Sequence, residues 1–319
     1  MSRAAEVVTL GESLGLLVAG KHGRLQHVPS MDLGFGGAES NVAIGVARLG
    51  GRSAWIGRLG SDSLGELISR EIRAEGVQVH ATFDPDVPTA LMLKERPRPG
   101  HSRITYYRKG LAGSRLTAGD IPESPIREAE VLHVTGITPA LGMSAASAVD
   151  SALDVAKRSN TRISFDVNHR SGLWNSNEEA REAYRRLASR ADVIFAGEDE
   201  AELLTGVAAG PGQLESLLEM GAHEAVVKRG EKGAESLNRD GVRCIKAAAP
   251  VDVVDTVGAG DAFVAGWLYE WVRGASPEVR METAIACGAA ACGAEGDWES
   301  LPTIRELKLL ANSVDPVSR

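Results

Sequence analysis

The second half of the chain alternates short apolar runs with longer segments of helical periodicity. Apolar runs of strand length occupy 131–134, 163–167, 193–195 and 225–228. Apolar residues at helical spacing predict helices at 144–158, 178–188, 199–205 and 211–220. This regular alternation predicts an α/β protein of three layers, in which a mainly parallel central sheet is covered by helices on both faces.

The first half of the chain contains more extended segments. Residues 7–10 predict a first strand, and 53–57 predict a later one. Further segments with alternating, β-branched or aromatic residues lie at 14–18, 25–28, 79–83, 90–94 and 103–107. Two arrangements account for them, a small separate sheet or hairpins at the edge of the main sheet. We expect a small sheet formed from about 14–35 and 79–110, within a single α/β domain that spans 1–319.

The composition restricts the function only broadly. A hydrophobic fraction of 43% and a charged fraction of 24% are ordinary for a globular protein. The net charge of −8 argues against a nucleic-acid-binding surface, and no apolar stretch reaches transmembrane length. Neither a nucleic acid nor a membrane is therefore an expected partner, and a cytoplasmic location is expected because no apolar run follows the charged start. The three cysteines have no metal-binding or disulfide-framework spacing.

A glycine-rich stretch near the C-terminal end is the strongest candidate for chemistry. It runs from Asp255 to Phe263 and leads into apolar residues at helical spacing, which predicts a loop that enters a helix. Gly258 and Gly260 let the backbone approach a ligand closely, and the first amides of the helix favour a phosphate. Asp261 would repel that phosphate, unless it accepts a proton from an attacking hydroxyl. The alternative is a plain glycine turn with an acidic helix cap.

Another glycine-rich segment, 34–41, also leads into a predicted helix, and 57–65 follows it. By itself, a helix cap at Ser40 or Asn41 explains it equally well. The stretch 255–263 reads Asp-Thr-Val-Gly-Ala-Gly-Asp-Ala-Phe. These segments together resemble the two signatures of the ribokinase-like (pfkB) sugar kinases, in the order found in that family.

The resemblance implies both a fold and a set of catalytic groups. It implies a ribokinase-like α/β/α sandwich in which the small β-sheet is a lid over the sugar and a contact between two copies of the chain. Asp261 is implied as the catalytic base. The amides implied as an anion hole for the transferred phosphate are those of Gly258, Ala259 and Gly260. The residues implied in the sugar-binding loop are Gly36, Gly37 and Asn41.

Polar residues at the end of the predicted strand 163–167 form a further candidate group. Asp166, Asn168 and Arg170 lie two apart, so in an extended chain they project to one side, beyond the strand end where ligands of open α/β sheets bind. Together these three side chains suit the hydroxyls and an anionic group of a sugar-like substrate, because an arginine forms a forked hydrogen bond with a carboxylate. An internally satisfied polar turn is the alternative.

Two stretches resemble the 2-keto-3-deoxygluconate kinase branch of the family. One is Tyr-Tyr-Arg at 106–108 followed by Ala-Gly-Ser at 112–114, and the other is Asp-Val-Asn-His-Arg-Ser-Gly-Leu-Trp at 166–174. The residues implied near the acid end of the sugar are Tyr106, Arg108 and Arg170. Gly36 and Asp261 are implied near the transferred hydroxyl. A neutral sugar would give no reason for two arginines, so ATP-dependent phosphorylation of a primary hydroxyl of 2-keto-3-deoxygluconate is expected. The alternatives are a fructokinase or ribokinase and a non-catalytic sugar-binding homologue.

The segment 226–233 resembles the nucleotide-binding strand and turn of the same family. The residues implied in ATP binding are Lys228, Gly230 and Gly233, together with Gly258 and Gly260. Glu200 matches the glutamate of the family's Asn-x-x-Glu motif, which helps to organise magnesium and phosphates, but Gly197 stands in place of the asparagine. The expected cofactors are ATP, Mg2+ and a monovalent cation such as K+.

Overall fold

The computed structural model describes residues 4–98 and 101–312. The strands are β1 (Val7–Leu10), β2 (Leu14–Ala19), β3 (Met31–Gly36), β4 (Ser53–Gly60), β5 (Gln78–Asp84), β6 (Leu91–Arg98), β7 (His101–Tyr107), β8 (Val131–Thr135), β9 (Arg162–Asp166), β10 (Val193–Gly197), β11 (Glu224–Lys228), β12 (Ala234–Asn238) and β13 (Arg243–Lys246). The helices are α1 (Ala38–Arg48), α2 (Ser63–Ala74), α3 (Glu123–Glu128), α4 (Ile137–Ala140), α5 (Met143–Ser159), α6 (Asn177–Ala188), α7 (Glu198–Thr205), α8 (Gln213–Glu219), α9 (Ala259–Trp271), α10 (Pro277–Cys292) and α11 (Ile304–Asn312).

A nine-stranded sheet forms the centre of the molecule. Its strand order is β13-β12-β11-β10-β9-β8-β1-β4-β5. The seven strands from β11 to β5 pair in parallel, and β12 and β13 extend the sheet in antiparallel fashion. The carboxyl ends of the parallel strands therefore meet at one edge of the sheet, where ligands of open α/β sheets bind. None of the helices within 4–98 and 101–312 combines the length and apolar character that a membrane span requires.

Both faces of the sheet are buried under helices. Val8 and Leu10 of β1 belong to a core cluster formed with α5, α6, α7 and α8. Val7, the residue before Val8, belongs to a second cluster with α1, α9 and α10. Because successive strand residues point to opposite faces, this alternation places helices on both sides of the sheet. The predicted three-layer α/β/α arrangement is confirmed.

A second, four-stranded sheet lies apart from the first, with the order β3-β2-β6-β7. β2 pairs with β3 in antiparallel and with β6 in parallel fashion, and β6 and β7 form an antiparallel hairpin. Leu14, Leu16, Ala90 and Met92 form a hydrophobic cluster of their own. The predicted small separate sheet therefore exists, but two of its predicted strands are wrong.

The segment 25–28 is not a strand. Leu25–His27 form a 3-10 turn whose side chains are largely exposed, and the strand beside β2 is β3 instead. Pro29 follows directly and has no N–H for a sheet ladder. The segment 79–83 is a strand, but it lies in β5 of the large sheet and pairs in parallel with β4. The reason is α2, a helix absent from our prediction, because strands joined by a helical crossover run parallel.

Arg48, in the N-terminal part of the chain, binds the loop between α10 and α11. The Nη1 atom of Arg48, at the end of α1, donates to the carbonyl oxygens of Trp298 (3.1 Å), Glu299 (3.0 Å) and Leu301 (2.7 Å). The indole N–H of Trp298 donates to the carbonyl oxygen of Phe35 (3.1 Å), and the two rings lie 4.9 Å apart. The loop is thereby held against β3 and α1, which carry the predicted sugar-binding glycines.

We expect Arg48→Met to lower the free energy of unfolding by about 3 kcal/mol, because carbonyl groups that share one charged donor lose it together. Arg70→Met is the matched control, since Arg70 is 72% exposed and pairs with its neighbour Glu71. Urea unfolding of both variants measures the difference. Equal stability of the two variants would show that the loop does not depend on Arg48.

Candidate active site

The loop that enters α9 is built around a glycine in the left-handed conformation. Gly258 caps α9 with φ 75°, and a Cβ at this position would lie 2.0 Å from the carbonyl oxygen of Asp297. Both the backbone angle and the close approach require glycine. Beyond it, the first amides of α9 have no partner within the helix, and together with the helix dipole they favour an anion. The geometry fits the predicted anion hole at 258–260.

Asp261 lies in the first turn of α9 and is held by two asparagines. Asn41 Nδ2 of α1 donates to one carboxylate oxygen at 2.9 Å, and Asn168 Nδ2 approaches the other at 3.5 Å. Burial raises the pKa of Asp261 to about 7, against the bond from Asn41 and the positive charges of Arg170 and Lys228, which lower it. A carboxylate with this pKa is a stronger base than a free aspartate, whose pKa is about 4.

A small cavity of about 100 Å³ lies beside Asp261, between the large sheet and the small sheet. Its lining residues are Glu12, Leu14, Gly37, Ala38, Glu39, Asn41, Met92, Ile104, Tyr106, Arg108, Ile137, Arg170, Val257, Gly258, Asp261 and Asp297. Most of the predicted sugar-binding residues are among them. Gly36 is not among the lining residues, and a Cβ at this position would come within 1.8 Å of Asp297 Oδ2.

We call this cavity the sugar-side cavity, because most of the predicted sugar-binding residues line it. Three acids of its lining were absent from the predicted site, the buried Glu12 and Glu39 and the half-buried Asp297. Glu39 accepts hydroxyl hydrogen bonds from Thr135 (2.6 Å) and Thr138 (2.9 Å) on one oxygen, while burial raises the pKa of its carboxyl. Glu12 and Asp297 complete the set. Glu12 was recognisable in principle, since it follows β1 at the carboxyl edge of the sheet. Asp297 lies in a loop with no regular pattern, so the sequence offered no comparable signal.

The two predicted arginines differ in their charge environment. Arg108 forms an ion pair with buried Glu12, and its guanidinium lies 5.3 Å from the centre of the Tyr106 ring. Burial raises the pKa of Glu12, although Arg108 opposes that shift. Arg170 is exposed, and within the part of the chain that the structure describes it forms no ion pair. The argument that two arginines need a carboxylate on the sugar therefore holds for Arg170 and not for Arg108, which Glu12 already compensates.

The segment that carries Arg170 is anchored on Tyr184 of α6. Trp174 Nε1 donates to the Tyr184 hydroxyl at 2.9 Å, and His169 Nδ1 lies 2.9 Å from the same oxygen. The indole can only donate to this oxygen, and the hydroxyl can in turn donate to Nδ1 of a neutral His169 imidazole. Burial lowers the pKa of His169, in agreement with that state. The turn around Arg170 is thus set by two ring contacts.

Asp166 and Asn168 do not join Arg170 in lining the sugar-side cavity. Asn168 has a φ of 39°, so the chain bends after β9 and does not project the three side chains to one side. Asp166 is buried, and both its oxygens accept from Lys228 Nζ, at 2.9 and 2.7 Å. Its predicted contact with the sugar is therefore replaced by an ion pair, whereas Asn168 reaches the site through Asp261.

A larger cavity of about 750 Å³, which we call the nucleotide-side cavity, lies on the other side of the glycine loop. It is lined by four of the residues predicted to bind ATP, namely Lys228, Gly230, Gly233 and Gly260. Gly233 has a φ of 97°, and a Cβ there would lie 2.0 Å from the Lys246 carbonyl oxygen, so the turn requires glycine. Gly258 instead faces the sugar-side cavity. The loop 258–260 therefore separates two cavities, with Asp261 at the junction.

Glu200 has both carboxylate oxygens occupied by backbone amides. It accepts from Gly197 at 2.7 Å and from His169 at 2.7 Å, which joins the ends of β9 and β10. A Cβ at Gly197 would be 3.5 Å from the carboxylate, so a side chain has room there. Within 4–98 and 101–312, no group of three or more His, Cys, Asp or Glu side chains is arranged for a metal. The magnesium role of Glu200 stays a prediction.

The comparisons with known proteins agree with this geometry. Residues 4–304 match the model of the pfkB family carbohydrate kinases. The chain belongs to this family. A 2-dehydro-3-deoxygluconokinase from Bacillus subtilis (strain 168) is 36% identical over 304 residues, 95% of this chain and 94% of that protein. One from Thermoproteus tenax is 36% identical over 312 residues, 97% of this chain and 94% of that protein. Other similar relatives are named fructokinases.

The fold of this pfkB kinase matches solved structures over nearly its whole length. A putative ribokinase II from E. coli, in complex with ATP and Mg2+, superposes with a TM-score of 0.89 at 26% identity and covers 97% of this chain and 99% of that one. The predicted ribokinase-like fold and the predicted class of enzyme, a phosphotransferase with an alcohol as acceptor, are confirmed.

We expect kcat/KM to rise with pH and to level off above about pH 7, because Asp261 must be deprotonated to act as base and its pKa is about 7. Burial and the Asp261 charge also raise the pKa of Asp297 to about 7, so the two carboxyl groups ionise in the same pH range. Because the repulsion between two charges is mutual, an ionised Asp297 disfavours the deprotonation of Asp261. Asp297→Asn should therefore move the midpoint to lower pH.

The pH profiles of the wild type, Asp297→Asn and the exposed control Asp240→Asn test this expectation. The control should keep the midpoint of the wild type. An unchanged or higher midpoint in Asp297→Asn would contradict the assigned coupling between the two carboxyl groups.

Proposed function

We propose that this chain transfers the γ-phosphoryl group of ATP to a primary hydroxyl of 2-keto-3-deoxygluconate. The observation that carries the proposal is the position of Asp261, between a sugar-side cavity with arginines and a nucleotide-side cavity, directly after the glycine loop. The relatives named 2-dehydro-3-deoxygluconokinases support the choice of sugar. The ATP and Mg2+ of the E. coli ribokinase II structure support the choice of phosphoryl donor.

In this reaction Asp261 accepts the proton of the sugar hydroxyl as that oxygen attacks the γ-phosphorus. The amides at the start of α9 hold the transferred oxygens, and Lys228, whose ammonium lines the nucleotide side, adds positive charge. In a loose transition state the bond to the leaving oxygen is largely broken before the bond to the sugar oxygen has formed, so the sugar hydroxyl can lose its proton late. Positioning therefore contributes much of the rate, and we assign to the small sheet the role of a lid that excludes water.

Magnesium is proposed to be held mainly by the nucleotide. Glu231 contributes a carboxylate to the lining of the nucleotide-side cavity. Asp166 and Glu200 lie outside that lining, where Lys228 occupies the oxygens of Asp166 and two backbone amides occupy those of Glu200. Mg2+ usually keeps several waters and takes one or two carboxylates, which fits an indirect contact of this kind. When bound, the ion neutralises charge on the transferred phosphoryl group.

The contacts around the glycine loop give less support to the predicted monovalent cation than to ATP and Mg2+. Asp255, the carboxylate at the start of the glycine loop, is already paired with Lys94 from the small sheet. No step is therefore assigned to K+. The contact between two copies through the small sheet, the cytoplasmic location and the assignment of the whole chain to one domain stay predictions.

A kinase of a neutral sugar is the second candidate function. The ion pair between Arg108 and Glu12 favours it, because a compensated arginine can lie beside a sugar without a carboxylate. The relatives named fructokinases support the same alternative. The two candidates differ in what they require of Arg170.

We expect Asp261→Asn to lower kcat by at least ~100-fold, since general-base action contributes on the order of 10²–10⁴. ATP affinity should change little, because the amide retains the shape of the carboxyl group. Steady-state assays and a nucleotide-binding titration measure the two quantities, with the exposed Asp252→Asn as control. Turnover of Asp261→Asn close to that of the wild type would remove Asp261 from the role of base.

We expect 2-keto-3-deoxygluconate to be turned over better than fructose or ribose in a coupled kinase assay. Arg170→Met should raise the KM for the acid by ~10-fold or more and leave the KM for neutral sugars almost unchanged, because a charge-assisted contact is worth about 1.5–3 kcal/mol.

The assay is run well above the pKa of Asp261, because removal of the Arg170 charge also raises that pKa. Arg185→Met, an exposed change on α6, is the control. If fructose is the better substrate, or if Arg170→Met weakens both kinds of sugar equally, the neutral-sugar kinase is correct.

A further inference from the structure

A lysine of the small sheet is buried against the glycine loop. Lys94 lies on β6 two residues after Met92, so both side chains point to the inner face, and Lys94 is 4% exposed. Its ammonium group pairs with Asp255 Oδ2, across 161 residues of sequence. The other oxygen of Asp255 accepts from the amide of Val257 at 3.2 Å. One carboxylate thus links the small sheet to the residue before Gly258.

This contact cannot be explained as an incidental surface pair. A buried ammonium group is costly unless it is paired, and removing one member of a buried ion pair leaves an uncompensated charge. Arg96, two residues further along β6, offers a comparison. It pairs with Glu295, whose side chain is 58% exposed, at the outer end of the same loop region. Lys94 alone of these two reaches the loop that carries the catalytic base.

The surroundings of the loop explain why a cation is needed there. Asp255, Asp261 and Asp297 lie around a segment whose amides must bind a phosphoryl group, and three carboxylates repel that group. The positive charge of Lys94 opposes the rise in the pKa of Asp297, which shows that it acts on the acids beyond its direct partner. A fixed positive charge at this point offsets the repulsion while holding the loop.

We propose that Lys94 is a positioning residue that serves as the built-in monovalent cation of the glycine loop, so that phosphoryl transfer does not depend on added K+. The inference rests on the proposed kinase reaction for its kinetic test. It reverses the expectation of a K+ cofactor, because the ammonium group of Lys94 already neutralises Asp255, the carboxylate at the start of the glycine loop.

The kinetic test compares KCl with choline chloride at equal ionic strength. The wild type should have the same kcat in both salts. Lys94→Met, which keeps the length of the side chain without its charge, should lose ~10-fold or more of kcat in choline chloride, as expected for a misplaced catalytic loop. KCl or NH4Cl should restore part of that loss in a saturable manner. Arg96→Met, on the same face of the same strand, should behave as the wild type.

A second readout does not require activity. The Tm of the wild type should be equal in the two salts, while the Tm of Lys94→Met should be higher in KCl than in choline chloride. Lys94→Gln serves in place of Lys94→Met if the latter folds poorly.

Two results would overturn the inference, a wild type that needs K+ for turnover or gains Tm from it, and a Lys94→Met variant that keeps its full kcat in choline chloride. A wild type that phosphorylates no sugar in either salt would overturn the proposed function instead, and the Tm comparison would still decide the role of Lys94.

Discussion

The close approach of Gly258 to the carbonyl oxygen of Asp297 is the constraint on which the site depends. Because glycine has no side chain, the chain can turn sharply into α9 at this close contact, with Gly258 lining one cavity and Gly260 the other. The partner loop is itself held by Arg48, which binds three of its carbonyl groups. Because Arg48 ends α1, the helix that also carries Asn41, one connected set of contacts positions Asp261 and the predicted sugar-binding loop.

The carboxylates around this loop repel one another, and positively charged lysine and arginine side chains offset that repulsion. Burial raises the pKa of Asp261 and of Asp297 to about 7, a shift of the kind that is common at functional sites. The positive charges of Lys228 and Arg170 act on Asp261, and that of Lys94 acts on Asp297. Each is held by a different element, so the balance of charge depends on the docking of the small sheet as well as on the large one.

The pairing of charges also limits what can be inferred about the substrate from the two arginines. Arg108 is compensated by Glu12, and the aromatic ring of Tyr106 covers it. Arg170 is left to meet an anion, and its position depends on the neutral ring of His169 and on Tyr184. The proposed recognition of an acid sugar therefore depends on one exposed charge, with the contacts of two rings to Tyr184 behind it.

The sequence by itself determined the three-layer fold and the loop before α9, because strand and helix periodicities and glycine turns are local properties of a chain. It did not determine which sheet β5 joins, since the helix that makes it parallel to β4 had not been predicted. The pairs Asp166–Lys228, Glu12–Arg108 and Lys94–Asp255 span 62, 96 and 161 residues. Such partners were decided by the tertiary structure alone, because the burial that forces charges to pair arises only when distant elements pack together.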